Sequence, residues 1–226
     1  MSLIKKYHLF FEQSGTFKKE FKNLGYEAFD YDILNDFGET DYIVDLFEEI
    51  EKAYLELNSI FDKLTQKDMI IAFFPCIRFE DQVIINFRGE NSGYKSWSLK
   101  KKLKNDLKLH EELDKNYQLI TKLVLVCLDK KIPLIIENPF SEQHYLRRYW
   151  ALKPTIIDKN RRDNGDYYIK PTQYFFVNFE PKYNFIFESI EYVPQRIVSE
   201  QNQVERSMIH PQYARRFIKE YIIEKE

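Results

Sequence analysis

Short, unbroken apolar runs set the limits on what this chain can fold into. Residues 69–74 and 134–136 carry no polar side chain, and each run stops at groups able to do chemistry: Pro75 and Cys76 in one case, Glu137, Asn138 and Pro139 in the other. Runs this short and this uniformly apolar belong to strands buried on both faces, as in a parallel sheet. Between them apolar residues recur at helical spacing: Phe17, Phe21 and Leu24 before Gly25; Phe47, Ile50, Tyr54 and Leu57 in a helix read over 46–61; and Leu99, Leu103, Leu107, Leu113, Tyr117, Ile120, Val124 and Cys127 after Ser98. Further strands are read over 7–11, 26–31, 43–44, 155–157 and 173–177, with helices near 142–149 and from Pro211 onward. Strands alternating with helices predict an α/β fold, a largely parallel sheet with right-handed crossovers and helices on both faces.

At 226 residues the chain suits one domain rather than two. Residues 77–96, with Gly89 and Gly93, read as a loop or insertion over the crevice. The net charge of −2 argues against a uniformly basic nucleic-acid coat but hides a segregation. Residues 28–51 hold nine acids and no base, whereas residues 95–108 hold six lysines against Asp106. Such poles suit a cationic small ligand and a polyanion on different surfaces, and two solvated helix faces explain each run taken alone about as well. Cys76 and Cys127 show neither disulfide nor metal spacing, and the four histidines form no zinc pattern, so a reducing interior without a metal is expected. No apolar stretch approaches the ~18 residues of a membrane span and no signal core opens the chain, so a cytoplasmic protein is expected.

Ligands of open α/β sheets bind beyond the carboxyl ends of the strands, which would place Cys76 and Glu137 in one pocket. The turn through Glu12 and Gly15 leads from the first strand into a helix N-terminus, and Asp32 and Asp45 end the second and third strands. An acidic rim fits ribose hydroxyls, an amine or a sulfonium better than phosphates. Cys127, in the apolar stripe, reads as a core residue. Cys76 follows Pro75 where the chain leaves the sheet, although a buried, inert thiol is the commoner fate of a lone cysteine. A carboxyl after three apolar residues, as at Glu137, is hard to bury without a partner or a task, and desolvation would let it donate a proton near neutrality.

The strings Leu9-Phe10-Phe11-Glu12-Gln13-Ser14-Gly15-Thr16-Phe17, Asp30-Tyr31-Asp32-Ile33, Phe74-Pro75-Cys76 and Glu137-Asn138-Pro139 resemble the S-adenosylmethionine-dependent cytosine-C5 DNA methyltransferase family. The segments Lys170–Phe175 and Arg206–Ala214 are similar to the late parts of its short phage and prophage forms. The resemblance implies a Rossmann-like class I methyltransferase fold with a mostly parallel seven-stranded sheet. It implies Cys76 as the nucleophile on cytosine C6, Glu137 with Asn138 at the base, and S-adenosylmethionine as methyl donor. Phe11, Gly15 and Thr16 would line the methionine end, Asp32 the ribose and Asp45 the adenine, with Phe17 and Pro75 also at the cofactor. A duplex target would be flipped out of its stack.

Arg147, Arg148, Arg161 and Arg162 are candidates for DNA contact, as are Lys100 and Lys101 beside Tyr94 and Trp97. No target-recognition domain fits between Phe179 and Arg206, so target choice would fall to residues 77–108 or to a partner protein. RNA and free nucleotides are compatible with the same strings. Gln13 stands where the family carries the first glycine of its cofactor turn. A homologue that binds cofactor or nucleic acid without turnover is therefore the second functional expectation.

Overall fold

The computed structural model describes residues 4–80, 83–197 and 202–224. Seven strands, β1 (Lys6–Phe10), β2 (Glu27–Asp32), β3 (Tyr42–Ile43), β4 (Asp68–Ala72), β5 (Leu134–Pro139), β6 (Ile156–Asp158) and β7 (Thr172–Val177), form one sheet in the order β3-β2-β1-β4-β5-β7-β6. Strands β1 to β5 pair in parallel, while β7 runs antiparallel to both β5 and β6. The mostly parallel α/β sheet is thus the one the alternating pattern predicts.

Among the described residues seven α-helices connect these strands or cover them: α1 (Thr16–Asn23), α2 (Leu46–Tyr54), α3 (Ile84–Phe87), α4 (Leu99–Lys130), α5 (Tyr145–Tyr149), α6 (Gln203–Ser207) and α7 (Pro211–Phe217). The last runs on into a π-helical turn, Ile218–Ile222. Within each apolar run the side chains alternate between two cores. Tyr7, Leu9, Met69, Ile71 and Ile135 pack beneath α1 and α7, against Phe17, Phe21, Tyr213 and Phe217. Phe10, Ile70, Ala72, Leu134 and Ile136 face α2 and α4, against Ile50, Leu113, Ile120 and Cys127. Fully burying one such side chain stabilises by roughly 1.5–3 kcal/mol, so helices on both faces follow from strands with no polar side. Among the described residues no helix is long and apolar enough to cross a membrane.

Three expectations change. The helix read over 46–61 ends at Tyr54, because Glu56 adopts a left-handed φ of 57° and Leu57 N–H turns back to the Lys52 carbonyl at 2.8 Å. Leu57 is exposed, and a separate 3-10 turn, Ile60–Lys63, buries Phe61 instead. In α4 the stripe breaks: Leu99, Leu103 and Leu107 are exposed, and burial starts at Leu109 and Leu113. With ~3.6 residues per turn, steps of four rotate the first three leucines off the face that Leu109, Leu113 and Ile120 share. Finally, Glu137, Asn138 and Pro139 lie within β5 rather than beyond it, opposite Tyr174, Gln173 and Thr172 of β7.

Candidate functional site

The carboxyl ends of β1, β2, β4 and β5 open into a cleft of about 460 Å³. Phe11, Asp32, Pro75, Cys76, Glu137 and Arg161 all line it, together with Glu12, Gln13 and Lys170. A second hollow of about 390 Å³ shares Phe11, Gln13, Asp32 and Pro75 and extends to Asp45 and Phe47. The two form one groove, with the thiol at one end and the α2 N-terminus at the other.

At the thiol end, Glu137 is 8 % exposed, and its Oε1 has no hydrogen-bond donor. Arg161 Nη1 lies 3.8 Å from that oxygen. Burial pushes the Glu137 carboxyl above its usual range, while Lys170 and Arg161 pull it back. The balance favours a carboxyl that keeps its proton further toward neutral pH, as a donor requires. Arg161 is locked in place: its Nε donates to Asp166 Oδ2 at 2.6 Å, its Nη2 also meets that carboxylate, and the guanidinium lies over the Tyr213 ring. Asn138 is fully buried and does not reach the cleft. Its Nδ2 donates to the carbonyls of Phe74, at 3.0 Å, and Glu137, at 2.7 Å, stapling the β5 end to the chain that carries Cys76.

Cys76 is half-buried, and its Sγ donates to Glu80 Oε1 at 3.0 Å. Burial raises the thiol pKa most; the Glu80 charge and hydrogen bond raise it further, Lys170 opposes them and Glu137 adds to them. The resting group is a thiol. Glu80 lies four residues past Cys76 because the chain turns there: Phe79 N–H donates to the Cys76 carbonyl at 2.7 Å. Phe79 is buried against Phe74 and Tyr145, and Arg78 Nε holds Glu112 of α4 at 2.7 Å.

The rim is built differently. Phe11 has a left-handed φ of 60°, rare for a bulky residue, and its ring packs against Phe47 and Phe74. Glu12 turns inward and caps α1, accepting from Phe17 N at 2.8 Å and Lys18 N at 3.4 Å. Its pKa rises to about 7, chiefly through burial, against the pull of the Phe17 amide. The helix N-terminus, the usual phosphate site, is therefore filled by the protein's own carboxylate. Asp32 Oδ1 accepts from Leu34 N at 2.8 Å, and burial raises its pKa. Asp45 caps α2 through Phe47 N at 2.9 Å and Glu48 N at 3.3 Å. Gln13 Oε1 accepts from Asp36 N at 3.3 Å, tying the first turn to the loop after β2.

Several expected positions fall elsewhere. Gly15 (φ 65°), Thr16 and Phe17 are buried away from the groove. A Cβ on Gly15 would meet Glu39, Lys18 and Asp30, and Phe17 packs on Phe73 and Phe217. The acidic run is partly spent internally, since buried Lys18 lies 2.9 Å from Asp30 and 3.2 Å from Asp41. Arg161, paired inside, is not offered to a phosphate. Arg162 is half-buried. On α5, Arg147 pairs with Glu142 and Arg148 with Gln143. Lys100 and Lys101 are exposed on α4, outside the groove, with the Lys101 ammonium 3.8 Å from the Trp97 ring centroid. Glu12, Glu80 and Lys170 were not assigned a role from the sequence, although Glu12 and Lys170 lie within quoted strings and Glu80 lies four residues past Cys76. No protein-family model matches the chain, and no curated protein matches it.

Proposed function

We propose that the protein is a cytosine-C5 methyltransferase acting on DNA, with S-adenosylmethionine as methyl donor, built on a class I methyltransferase variant of the Rossmann-like fold. The observation that carries this reading is the meeting of Cys76 and a buried, incompletely paired Glu137 in one cleft, continuous with a groove rimmed by carboxylates. The groove fits that cofactor. Asp32 reaches it as a partner for ribose hydroxyls, Phe11, Phe47 and Pro75 supply apolar surface, and the α1 N-terminus already holds Glu12 rather than an open anion site. When bound, S-adenosylmethionine supplies an electrophilic methyl group on a positively charged sulfur.

The chain's own residues supply the rest. Cys76 adds to C6 of a flipped cytosine, which makes C5 nucleophilic. Glu137 gives its proton to N3 as that charge develops, and Arg161, held by Asp166, fixes the carboxyl from behind. Asn138 keeps the ends of β4 and β5 together so that thiol and carboxyl share one opening. Incubation with methyl-labelled cofactor should transfer label to DNA, and Cys76→Ser should reduce transfer to background. Transfer that survives this substitution contradicts the mechanism, and transfer confined to RNA or free nucleotides contradicts the substrate class.

A second reading, cofactor or DNA binding without turnover, is favoured by one observation: Gln13 stands in both parts of the groove, bonded to Asp36. Calorimetry would then register binding where no label is transferred.

A further inference from the structure

We propose that Glu80 is the proton acceptor for Cys76, its carboxylate taking the thiol proton as the sulfur adds to the pyrimidine ring. The inference rests on the methyl-transfer reading of this cleft and adds a residue which that reading lacks. Three observations carry it. The Sγ–Oε1 distance of 3.0 Å is a direct contact between nucleophile and base. The contact is built rather than incidental, because the turn from Cys76 to Phe79 is anchored by buried Phe79 on one side and by the Arg78–Glu112 pair on the other. Elimination leads to the same residue. Among the described residues, the charged groups that act most on the thiol are Glu80, Lys170 and Glu137. Lys170 is a cation, and Glu137 is needed as the proton donor at N3.

In the addition step the Sγ–H bond breaks and its proton passes to Glu80 Oε1. The sulfur electron pair forms the Sγ–C6 bond, the C5=C6 π pair becomes C4=C5 as the C4=N3 π pair moves onto N3, and N3 takes the Glu137 proton. The C4=C5 pair then forms the bond from C5 to the methyl carbon as the methyl–sulfonium bond breaks, its electrons leaving with sulfur as S-adenosylhomocysteine. The C5 proton leaves to water and the C5–H pair re-forms C5=C6 as the Sγ–C6 bond breaks with its electrons on sulfur, after which Glu80 returns its proton to the thiolate and N3 returns its proton to Glu137. One proton is released per methyl transferred.

Two rates separate this role from a structural one. The first is alkylation of Cys76 by iodoacetamide across pH, located by mass spectrometry, with buried Cys127 as the unreactive internal reference. The second is covalent trapping on duplex DNA containing 5-fluorocytosine in the presence of S-adenosylmethionine. Glu80→Gln removes both the base and a negative neighbour. Its alkylation profile should move to lower pH, while trapping slows by about 10²–10⁴-fold, the usual worth of a positioned base. Glu80→Asp keeps a carboxylate one methylene shorter and should trap well above the Gln variant. Gln and Asp variants that trap alike, or a Gln variant that traps at the wild-type rate, overturn the assignment. Wild-type protein that traps no DNA overturns the methyl-transfer reading and this inference with it; wild-type trapping unaffected by Glu80→Gln overturns this inference alone.

Discussion

Glu137 and Asp45 are both acids met where a strand-like run gives way, yet they sit in opposite electrostatic situations. Asp45 spends its Oδ1 on two helix amides in open surroundings, whereas Glu137 is buried with Oε1 lacking a donor and Arg161 Nη1 3.8 Å away. The same contrast divides the whole groove. Along the rim, Glu12, Asp32 and Asp45 are satisfied by backbone N–H groups and hold shape. At the thiol end, Glu137 and Cys76 have charged side chains as neighbours instead, Arg161 and Glu80. A carboxylate answered by backbone amides is a structural part. One buried with an oxygen lacking a donor, beside a thiol, is a candidate for reaction.

The contrast can be broken at either end. The largest effect is expected from Glu137→Gln, which keeps the shape but cannot release a proton: methyl transfer should fall by about 10²–10⁴-fold in a labelled-methyl assay. Asp166→Ala should come next, because it strands Arg161 in the core. Urea unfolding should show a loss of about 3–5 kcal/mol, the cost of orphaning a buried charge.

Glu12 tests the rim through pH. Its folded pKa of about 7 lies above the ordinary carboxyl value of 4.5. Its contribution is therefore fully present below the unfolded pKa and is lost as pH rises through 7, by roughly 3 kcal/mol over that window. Urea midpoints of wild type should drop between pH 4.5 and 7 relative to Glu12→Gln, whose amide oxygen still caps α1; parallel midpoints would contradict the burial argument. The smallest effect belongs to Asp45→Ala, about 0.5–2 kcal/mol for a lost cap, read in the same unfolding experiment.

Much of the sheet was legible because seven runs of strand-forming residues end in turns. The misread elements share a cause: apolar spacing cannot report which face a neighbour covers. Leu57 continues the α2 spacing although Glu56 has already reversed the chain, and Leu99, Leu103 and Leu107 repeat at four without meeting the core. Cys76, Glu137, Asp32 and Asp45 were legible as groove residues from strand-end position, whereas Phe11 and Pro75 came from the resemblance, which also named Gly15, Thr16 and Phe17 outside the groove. Glu80 and Glu12 were not legible, since each reaches its partner only after a turn folds the chain back on itself. Arg161 read as a candidate for DNA contact because its pairing with Asp166 depends on the 3-10 turn Arg161–Asn164, which short-range pattern does not announce.

The central claim is that the thiol and the buried carboxyl form one reaction site. Its most direct test is peptide mapping of the protein after incubation with S-adenosylmethionine and 5-fluorocytosine DNA. The account predicts a single nucleotide adduct on Cys76, absent in Cys76→Ser and strongly diminished in Glu137→Gln. An adduct on another residue, or undiminished trapping without the Glu137 carboxyl, would contradict it.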